Sequence, residues 1–365
     1  MIAFVCNTPV QVMRAIQMKL TIKEFYDDAD IYINPCFNGA YELKKNLSRI
    51  NCFRNVVLAI QPDINRAQAL WYAYGMGSFQ KLIRKCSYNK LISFNIEGAL
   101  TDAIYNLNKN SKNFEFHNVE DAPAIYIIPK SVQYKHLVYK IFKFEKSAFN
   151  MTKWWTSCPE LMRAPGIYNT VTEKLPSIDI NNKNLVDVIN KAFGYKDNGQ
   201  LEKADLLIMD ESFYQDKRII DNADFKIYSE IREHYNKKNI LVKMHPRTIH
   251  NRYEKNFKIY DSGGSPWEVN LMNKLCNSNK ELPMISIACS TMTSDKLMFG
   301  TEGIKILMIP MFYNKVTKEC AEFDISEERT KYFEKFKSGY NNPEKFQIVY
   351  SKEQLFNILE KIMKN

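Results

Sequence analysis

The sequence predicts an α/β protein of two domains, each built on a parallel sheet covered by helices. Short runs of β-branched and aromatic residues alternate with longer segments of helical period, which is typical of βα units. The length of 365 residues exceeds one ordinary domain and suits two. With 45% hydrophobic and 25% charged residues, the composition is that of a folded chain and excludes disordered or collagen-like ones.

The first half contains five predicted strands and three predicted helices. Apolar runs mark the strands, and apolar residues spaced by three or four positions mark the helices. In chain order these are strand 2–6, helix 10–20, strand 31–34, helix 41–50, strands 56–60 and 91–94, helix 98–107 and strand 114–117. This order predicts a doubly wound sheet.

The second half repeats the pattern after a polar stretch, 194–200, which predicts a hinge. Its elements are strand 205–209, helix 224–235, strands 239–244 and 257–260, helix 267–275, strand 284–288, helix 293–299 and strand 304–309. Ser351 opens a last helix with a capping-box spacing. We therefore predict domains at 1–195 and 196–345, and a C-terminal helix at 346–365 whose packing on the first domain is left open. Two Rossmann-like domains facing across a cleft form the architecture called GT-B among glycosyltransferases.

Charge and cysteine content narrow the class of protein. The 51 basic and 41 acidic residues give a net charge of +10, which favours an anionic ligand, nucleic acid or an acidic membrane as partner. Eight cysteines without a CxxC pair indicate free thiols in a reducing compartment. The N-terminus does not resemble a signal sequence, and no apolar run reaches 18 residues. We expect a cytoplasmic protein, with contact at the inner face of the membrane left open.

The segment 130–163, the basic aromatic segment, is richer in cations and rings than its surroundings. Such a segment can lie on an anionic lipid surface. An ordinary amphipathic helix packed on the domain is the favoured alternative. Its cations and rings are Lys130, Lys135, Lys140, Lys143, Lys146, Lys153, Arg163, Tyr139, Phe142, Phe144, Phe149, Trp154 and Trp155.

Several common nucleotide motifs are absent from the sequence. It contains neither a GxxxxGK[ST] loop nor a GxGxxG turn, which disfavours a P-loop, kinase or NAD-binding protein. Its DxD, at Asp28 and Asp30, precedes a strand instead of ending one. We interpret it as a solvated turn and not as a metal-diphosphate site.

His245 is the strongest candidate for a phosphate-binding residue. It stands at the carboxyl end of the run 239–244, the edge where open α/β sheets bind ligands, and Pro246 stiffens the turn. Lys243 and Arg247 flank it with positive charge. A histidine here can bind a phosphate and, as an imidazolium, protonate a leaving phosphate oxygen. A strand-end histidine capped by backbone is an equally weighted alternative.

Ser290 and Thr291 repeat this geometry, because they follow the run 284–288 and precede a predicted helix. Hydroxyls and free amides at a helix N-terminus bind anions without a metal. The alternative is that the two residues only cap the helix. Gly263 ends another strand, where backbone could approach a nucleotide, although an ordinary turn is favoured.

Two acidic pairs are candidates for a general base. Glu120 and Asp121 follow strand 114–117, where a carboxylate could take the proton of an acceptor hydroxyl and its neighbour would raise its pKa. Asp210 and Glu211 end strand 205–209 and are rivals for the role. Adjacent acids in loops are usually only solvated, so the choice stays open.

Three of these segments, in this order and on these elements, resemble the D/E-D/E-G, HP and S-S/T motifs of bacterial sialyltransferases. The matching residues are Val119-Glu120-Asp121-Ala122, Met244-His245-Pro246 and Cys289-Ser290-Thr291.

The opening and the length look most like glycosyltransferase family 52, the lipooligosaccharide and capsule sialyltransferases. The opening reads Cys6-Asn7-Thr8-Pro9-Val10-Gln11. The likeness spans nearly the whole chain but is carried by short motifs. The motif glycine is Ala122 here, and alanine restricts positive φ, which shifts the assignment of the base towards Asp210.

The resemblance implies an inverting, metal-independent GT-B enzyme that moves sialic acid from CMP-sialic acid to a galactose-type hydroxyl of capsule or lipooligosaccharide. By motif position, His245 would be the acid or the phosphate ligand for CMP, and Ser290 and Thr291 would hold the phosphate. Glu120 or Asp121 would be the base. The further donor-binding candidates are Lys243, Pro246, Arg247, Gly263, Asn7 and Thr8.

Under this interpretation residues 1–195 form the acceptor side and 196–345 bind the nucleotide sugar. The implied partners are a nucleotide sugar and an oligosaccharide acceptor, without a metal, cofactor or nucleic acid, and a homodimer is left open. The alternatives are a UDP-sugar-dependent GT-B transferase, a UDP-sugar 2-epimerase, and a non-catalytic membrane-peripheral or nucleic-acid-binding protein. Neither an RNP1 motif nor a zinc finger supports nucleic-acid binding.

Overall fold

The computed structural model describes residues 1–59, 87–95, 98–121, 147–161, 170–249 and 251–364. The chain divides into two compact units. Unit 1 comprises Met1–Tyr195 and Gly264–Val269, and unit 2 comprises Lys196–Gly263 and Asn270–Asn365. The sequence does not predict the short segment Gly264–Val269 in unit 1.

Unit 1 contains a seven-stranded parallel sheet in the order β3-β2-β1-β4-β5-β6-β7. Its interior strands are buried on both faces, which explains why they appear in the sequence as continuous apolar runs. The strands are β1 (Ile2–Cys6), β2 (Ala29–Ile33), β3 (Asn55–Leu58), β4 (Lys90–Ser93), β5 (Glu115–Val119), β6 (Lys153–Thr156) and β7 (Val171–Lys174).

Side-chain caps open two of the four described helices of unit 1, whereas a glycine precedes each of the other two. Thr8 caps the first helix, since its Oγ1 accepts the Gln11 N–H at 3.3 Å, and Pro9 occupies the first helical position. Asn182 caps the last one. These helices are α1 (Pro9–Thr21), α2 (Ala40–Ile50), α3 (Ala99–Asn108) and α4 (Lys183–Phe193).

Unit 2 contains a six-stranded parallel sheet in the order β10-β9-β8-β11-β12-β13. Its strands are β8 (Leu206–Met209), β9 (Ile240–Lys243), β10 (Lys258–Ile259), β11 (Met284–Ser286), β12 (Lys305–Leu307) and β13 (Phe346–Ile348). Its helices, with one that begins in unit 1, are α5 (Gln200–Lys203), α6 (Ala223–His234), α7 (Trp267–Asn277), α8 (Lys318–Phe323), α9 (Glu327–Ser338) and α10 (Lys352–Met363).

The basic aromatic segment differs from its predicted structure where it is described. Residues 130–146 and 162–163 lie outside the described residues, but Trp154 and Trp155 lie in β6 and are almost fully buried. Lys153 directs its Nζ to Glu24, at 3.1 Å from Oε1. The lipid-surface hypothesis is therefore wrong for these three residues, because the rings pack inside the sheet domain.

The predicted helix 293–299 is a second departure. The chain forms a 3-10 helix, Ser290–Thr293, followed by a π-helical turn, Asp295–Phe299. The Asp295 carboxylate is buried, and its Oδ2 accepts the Gly303 N–H at 2.8 Å and pairs with Lys305 Nζ at 2.8 Å. This long-range ion pair fixes the local geometry in a way that helical periodicity does not encode. A helix dipole consequently cannot support an anion site at Ser290.

Residues 346–365 also differ from the single predicted helix. Phe346 to Ile348 form β13, which pairs in parallel with β12, and α10 follows after the Ser351 cap. Both elements belong to unit 2. Within the described ranges, no helix is long and apolar enough to cross a membrane, and the seven cysteines found there are free thiols.

Candidate functional site

The strand order of each sheet reverses at one point, between β1 and β4 in unit 1 and between β8 and β11 in unit 2. Open α/β sheets bind ligands at such switch points, at the carboxyl ends of the strands. Most sequence-predicted residues follow the strands at or next to these two points. Asn7, Thr8, Glu120 and Asp121 do so in unit 1, and Lys243, His245, Asp210, Ser290 and Thr291 do so in unit 2.

His245 lies just past β9 and is half-buried. The backbone N–H of Arg247 donates to its Nδ1 at 3.2 Å, so the neutral ring carries its proton on Nε2. Burial lowers the pKa of His245 to about 4, and the charges of Arg247 and Lys243 add to the effect. The imidazole is therefore neutral at pH 7, in contrast to the imidazolium expected from the sequence. It can donate a hydrogen bond from Nε2 to a phosphate oxygen.

Lys243 and Arg247 supply the positive charge beside His245. Lys243 is the last residue of β9. Its positive charge acts to lower the pKa of the Cys289 thiol, which lies after β11 on the other side of the switch point. Arg247 is held over the loop after β8, since its Nη2 donates to Ser212 Oγ at 2.9 Å, and its side chain is 67% exposed. Pro246 is exposed in the turn between them.

Ser290 and Thr291 follow β11 and are partly exposed. The Thr291 hydroxyl contacts Cys289 Sγ at 2.9 Å, and the Ser290 carbonyl accepts from Thr293 Oγ1 at 2.8 Å. β9 and β11 flank β8, which separates their ends by about 10 Å. A ligand that contacts both His245 and the two hydroxyl residues would have to span this distance across the end of β8.

Asp210 is buried at the end of β8, in a network with a second carboxylate. Its Oδ1 accepts from Tyr253 Oη at 2.6 Å and contacts Arg252 Nη2 at 3.4 Å, while Arg252 forms a two-point pair with Asp224. Burial raises the pKa of Asp210 to about 6. These contacts occupy the Oδ1 atom of Asp210 within unit 2.

Gly263 lies past β10, two strands away from the switch point. It has φ of +57°, and its N–H donates to Asp261 Oδ1 at 2.8 Å. The turn is thus a glycine turn closed by an aspartate side chain. No contact of this glycine with the other donor-binding candidates is seen among the described residues.

Glu120 and Asp121 separate into two different environments. Glu120 is buried and accepts from Thr156 Oγ1 at 3.0 Å, from the Ser157 N–H at 2.7 Å, from the Ser157 hydroxyl and from Arg14 at 3.4 Å. Arg14 is itself buried. Glu120 is therefore committed to holding the end of β6 against α1.

Asp121 is the carboxylate of this pair that remains partly exposed. Burial raises its pKa, and a hydrogen bond from Gln11 opposes the rise. Gln11 is buried, its Oε1 accepts the Asn7 N–H at 2.5 Å, and its Nε2 lies 3.4 Å from Asn95 Oδ1. Because the Oε1 of Gln11 faces Asn7, the Nε2 of Gln11 is the atom that donates to Asp121.

Asn95 was not predicted as part of this site, and Gln11 appeared only within the opening motif. Asn95 lies two residues past β4, whereas Gln11 lies in the first turn of α1, the helix after β1; these two strands flank the switch point of unit 1. A polar side chain after an apolar run was the available signal for Asn95. Asn7 and Thr8 shape the same turn through their backbone and the helix cap.

An ion cluster at the opposite edge of the unit 1 sheet contains metal-ligand residue types. Glu24, Glu115 and His117 bring ligand atoms close together, but Lys90 and Lys153 bind the same carboxylates. Lys90 Nζ lies 2.7 Å from Glu24 Oε1. We interpret the cluster as an ion network, because two ammonium groups already supply the positive charge.

Comparisons with known proteins inform on the fold. No family model and no curated protein matches the chain. Among solved structures, the chain is similar to spinosyn rhamnosyltransferase SpnG complexed with thymidine diphosphate, at 8% identity and a TM-score of 0.52, covering 100% of this chain and 92% of that one. The glycotransferase of kitacinnamycin matches at 8% identity and 0.52, covering 100% and 94%.

A UDP-N-acetylglucosamine 2-epimerase from Rickettsia bellii matches at 12% identity with a TM-score of 0.48, covering 100% of this chain and 96% of that one. At such identities the likeness concerns the fold. Two parallel α/β sheets of seven and six strands, matched over the whole chain by glycosyltransferases, give this protein the GT-B fold and confirm the fold class predicted from its sequence.

Proposed function

We propose that this protein is a glycosyltransferase that uses a nucleotide sugar without a metal, and specifically that it transfers sialic acid from CMP-sialic acid to a galactose-type hydroxyl of a surface glycan. The observation that carries the proposal is the edge of unit 2, where Lys243 and the Nε2–H of His245 lie at the end of β9, and the hydroxyls of Ser290 and Thr291 follow β11 on the other side of β8. The GT-B fold is the setting in which such an edge binds nucleotide sugars.

The charges at this edge suit a single phosphodiester. Cationic and hydroxyl groups can stabilise the charge that develops on one leaving phosphate, where a diphosphate donor commonly needs a divalent ion. The neighbouring acid Glu211 has a pKa raised to about 8, so it is mainly protonated and uncharged at neutral pH. The preference for CMP over UDP rests on the sialyltransferase-like motifs at His245 and Ser290.

Asp121 is the base in this proposal. It lies next to the switch point of unit 1, it is the less committed member of its pair, and burial raises its pKa towards the working range of a base. It takes the proton of the acceptor hydroxyl, and the hydroxyl oxygen forms a bond to the anomeric carbon. The bond from that carbon to the phosphate oxygen breaks, and CMP leaves with the electron pair. Attack opposite the leaving group inverts the anomeric centre.

Nucleotide-dependent thermal stabilisation tests the donor assignment. A ligand at about a hundred times its Kd stabilises the folded state by about 2.7 kcal/mol, which raises Tm by several degrees. We expect CMP to raise Tm more than UMP or UDP, in the presence of EDTA. Lys243→Ala should reduce the shift, whereas Lys226→Ala, at an exposed position of α6, should not. A larger shift with UDP would favour the UDP-sugar alternatives, and no shift with any nucleotide would contradict a donor site.

A further inference from the structure

Glu211 spans the switch point of unit 2. It lies two residues past the end of β8, is buried, and reaches across to the end of β11. Its Oε1 lies 2.5 Å from Ser286 Oγ and accepts the backbone N–H of Ala288 at 2.6 Å. One carboxyl oxygen therefore holds both the last residue of β11 and the turn after it.

The same contacts fix the residues that lead into Ser290. The Ser286 hydroxyl also lies 3.0 Å from the Met209 carbonyl oxygen, and it accepts the Cys289 N–H at 3.2 Å. Ala288 and Cys289, the two residues before Ser290, are thereby tied to β8. We propose that Glu211 is a positioning residue that fixes the turn presenting Ser290 and Thr291 to the donor phosphate. This inference rests on the proposed function.

The turn needs an acceptor at Oε1 and not a negative charge. Burial raises the pKa of Glu211 to about 8, and the charges of Asp210 and Asp224 act in the same direction. A protonated carboxyl keeps the hydrogen bond to Ala288 without adding a negative charge beside a bound phosphate. The titratable groups that interact with Glu211 are Asp210, Asp224 and Tyr228 of α6, Cys289, and Cys320 of α8.

This state of Glu211 has a defined effect on stability. Its pKa rises from 4.5 to about 8 on folding, so the folded protein binds this proton more tightly than the unfolded chain. The contribution of Glu211 to stability should therefore fall as pH rises from about 4.5 to about 8. Asp210 contributes in the same direction up to about pH 6. Glu211→Gln should flatten the slope between pH 6 and 8.

The experiment compares Glu211→Gln, Glu211→Ala and Ser286→Ala in the full chain, with Glu233→Ala at an exposed position of α6 as control. At pH 6.5, Glu211→Ala should raise the Kd for CMP and the KM for CMP-sialic acid about tenfold, since the Ala288 amide loses its buried partner, with the acceptor KM unchanged. Glu211→Gln should recover most of the donor affinity that Glu211→Ala loses. Ser286→Ala should weaken donor binding in the same way, and it provides the test if Glu211→Ala does not fold.

Hydrogen exchange of the 286–291 backbone separates this inference from the proposed function. We expect faster exchange in Glu211→Ala and wild-type protection in Glu211→Gln and Glu233→Ala. If wild-type protein neither binds CMP nor turns over CMP-sialic acid, the proposed function is overturned. The hydrogen-exchange result on the turn is unaffected by that outcome. If wild-type protein binds CMP, the positioning role is overturned by unchanged donor Kd and KM in Glu211→Ala and Ser286→Ala, or by a Gln variant as impaired as the Ala variant.

Discussion

Asp121→Asn should lower kcat for sialyl transfer by about a hundredfold to ten-thousandfold, because the side chain keeps its shape but no longer accepts the proton of the acceptor hydroxyl. The rising limb of the pH dependence of kcat/KM should disappear with it. In wild-type protein this limb should lie above the ordinary range of an aspartate, since burial raises the pKa of Asp121. Steady-state kinetics between pH 4 and 8 measure both effects.

Two control variants separate catalysis from folding. Asp27→Asn, at an exposed position of the same unit, should leave kcat unchanged. Glu120→Ala should instead lower the free energy of unfolding by about 3–5 kcal/mol, because it leaves the buried Arg14 guanidinium without its carboxylate. A Glu120→Gln variant that folds normally and loses turnover, together with an active Asp121→Asn, would reassign the base to Glu120.

His245→Ala should lower kcat/KM for CMP-sialic acid by about a hundredfold to a thousandfold, the usual effect of removing one hydrogen-bond donor from a developing oxyanion. The Nε2 proton is directed outward because Nδ1 is occupied by the Arg247 N–H. The loss should be seen in both CMP affinity and kcat, measured by calorimetry and by CMP release.

The matched control for this variant is His234→Ala, which removes an exposed histidine of α6 in the same unit. It should retain wild-type turnover and CMP affinity. If the two alanine variants behaved alike, neither His245 nor the HP segment would belong to the donor site.

Most of the sheet framework could be predicted from the sequence, and the exceptions have physical reasons. Continuous apolar runs identified β1, β2, β4, β8 and β9, because parallel strands buried on both faces need apolar residues throughout. β6 was missed because its two tryptophans follow a lysine and lie in a stretch of cations, which has the composition of an amphipathic surface. The partner of Lys153 is Glu24, 129 positions earlier in the sequence. The residues near Lys153 in the sequence therefore do not indicate that β6 is a buried strand.

The placement of the candidate residues at strand ends could be predicted from the sequence, whereas the contacts of their side chains could not. Strand ends located His245, Ser290 and the two acidic pairs. The role of each carboxylate depends on contacts between distant segments. Thr156 and Ser157 donate hydrogen bonds to Glu120. Tyr253 and Arg252 donate hydrogen bonds to Asp210. The neutral state of His245 likewise follows from burial between two cations, which a spacing in the sequence does not reveal.

The proposed reaction is transfer of sialic acid from CMP-sialic acid without a metal. The most direct measurement incubates purified protein with CMP-sialic acid and a galactose-terminated oligosaccharide in EDTA, and follows both CMP release and the product linkage. We expect acceptor-dependent release of CMP and an inverted sialoside, and we expect EDTA to have no effect on either. Absence of CMP release from protein that instead consumes a UDP-sugar, or turnover only after addition of a divalent ion, would contradict it.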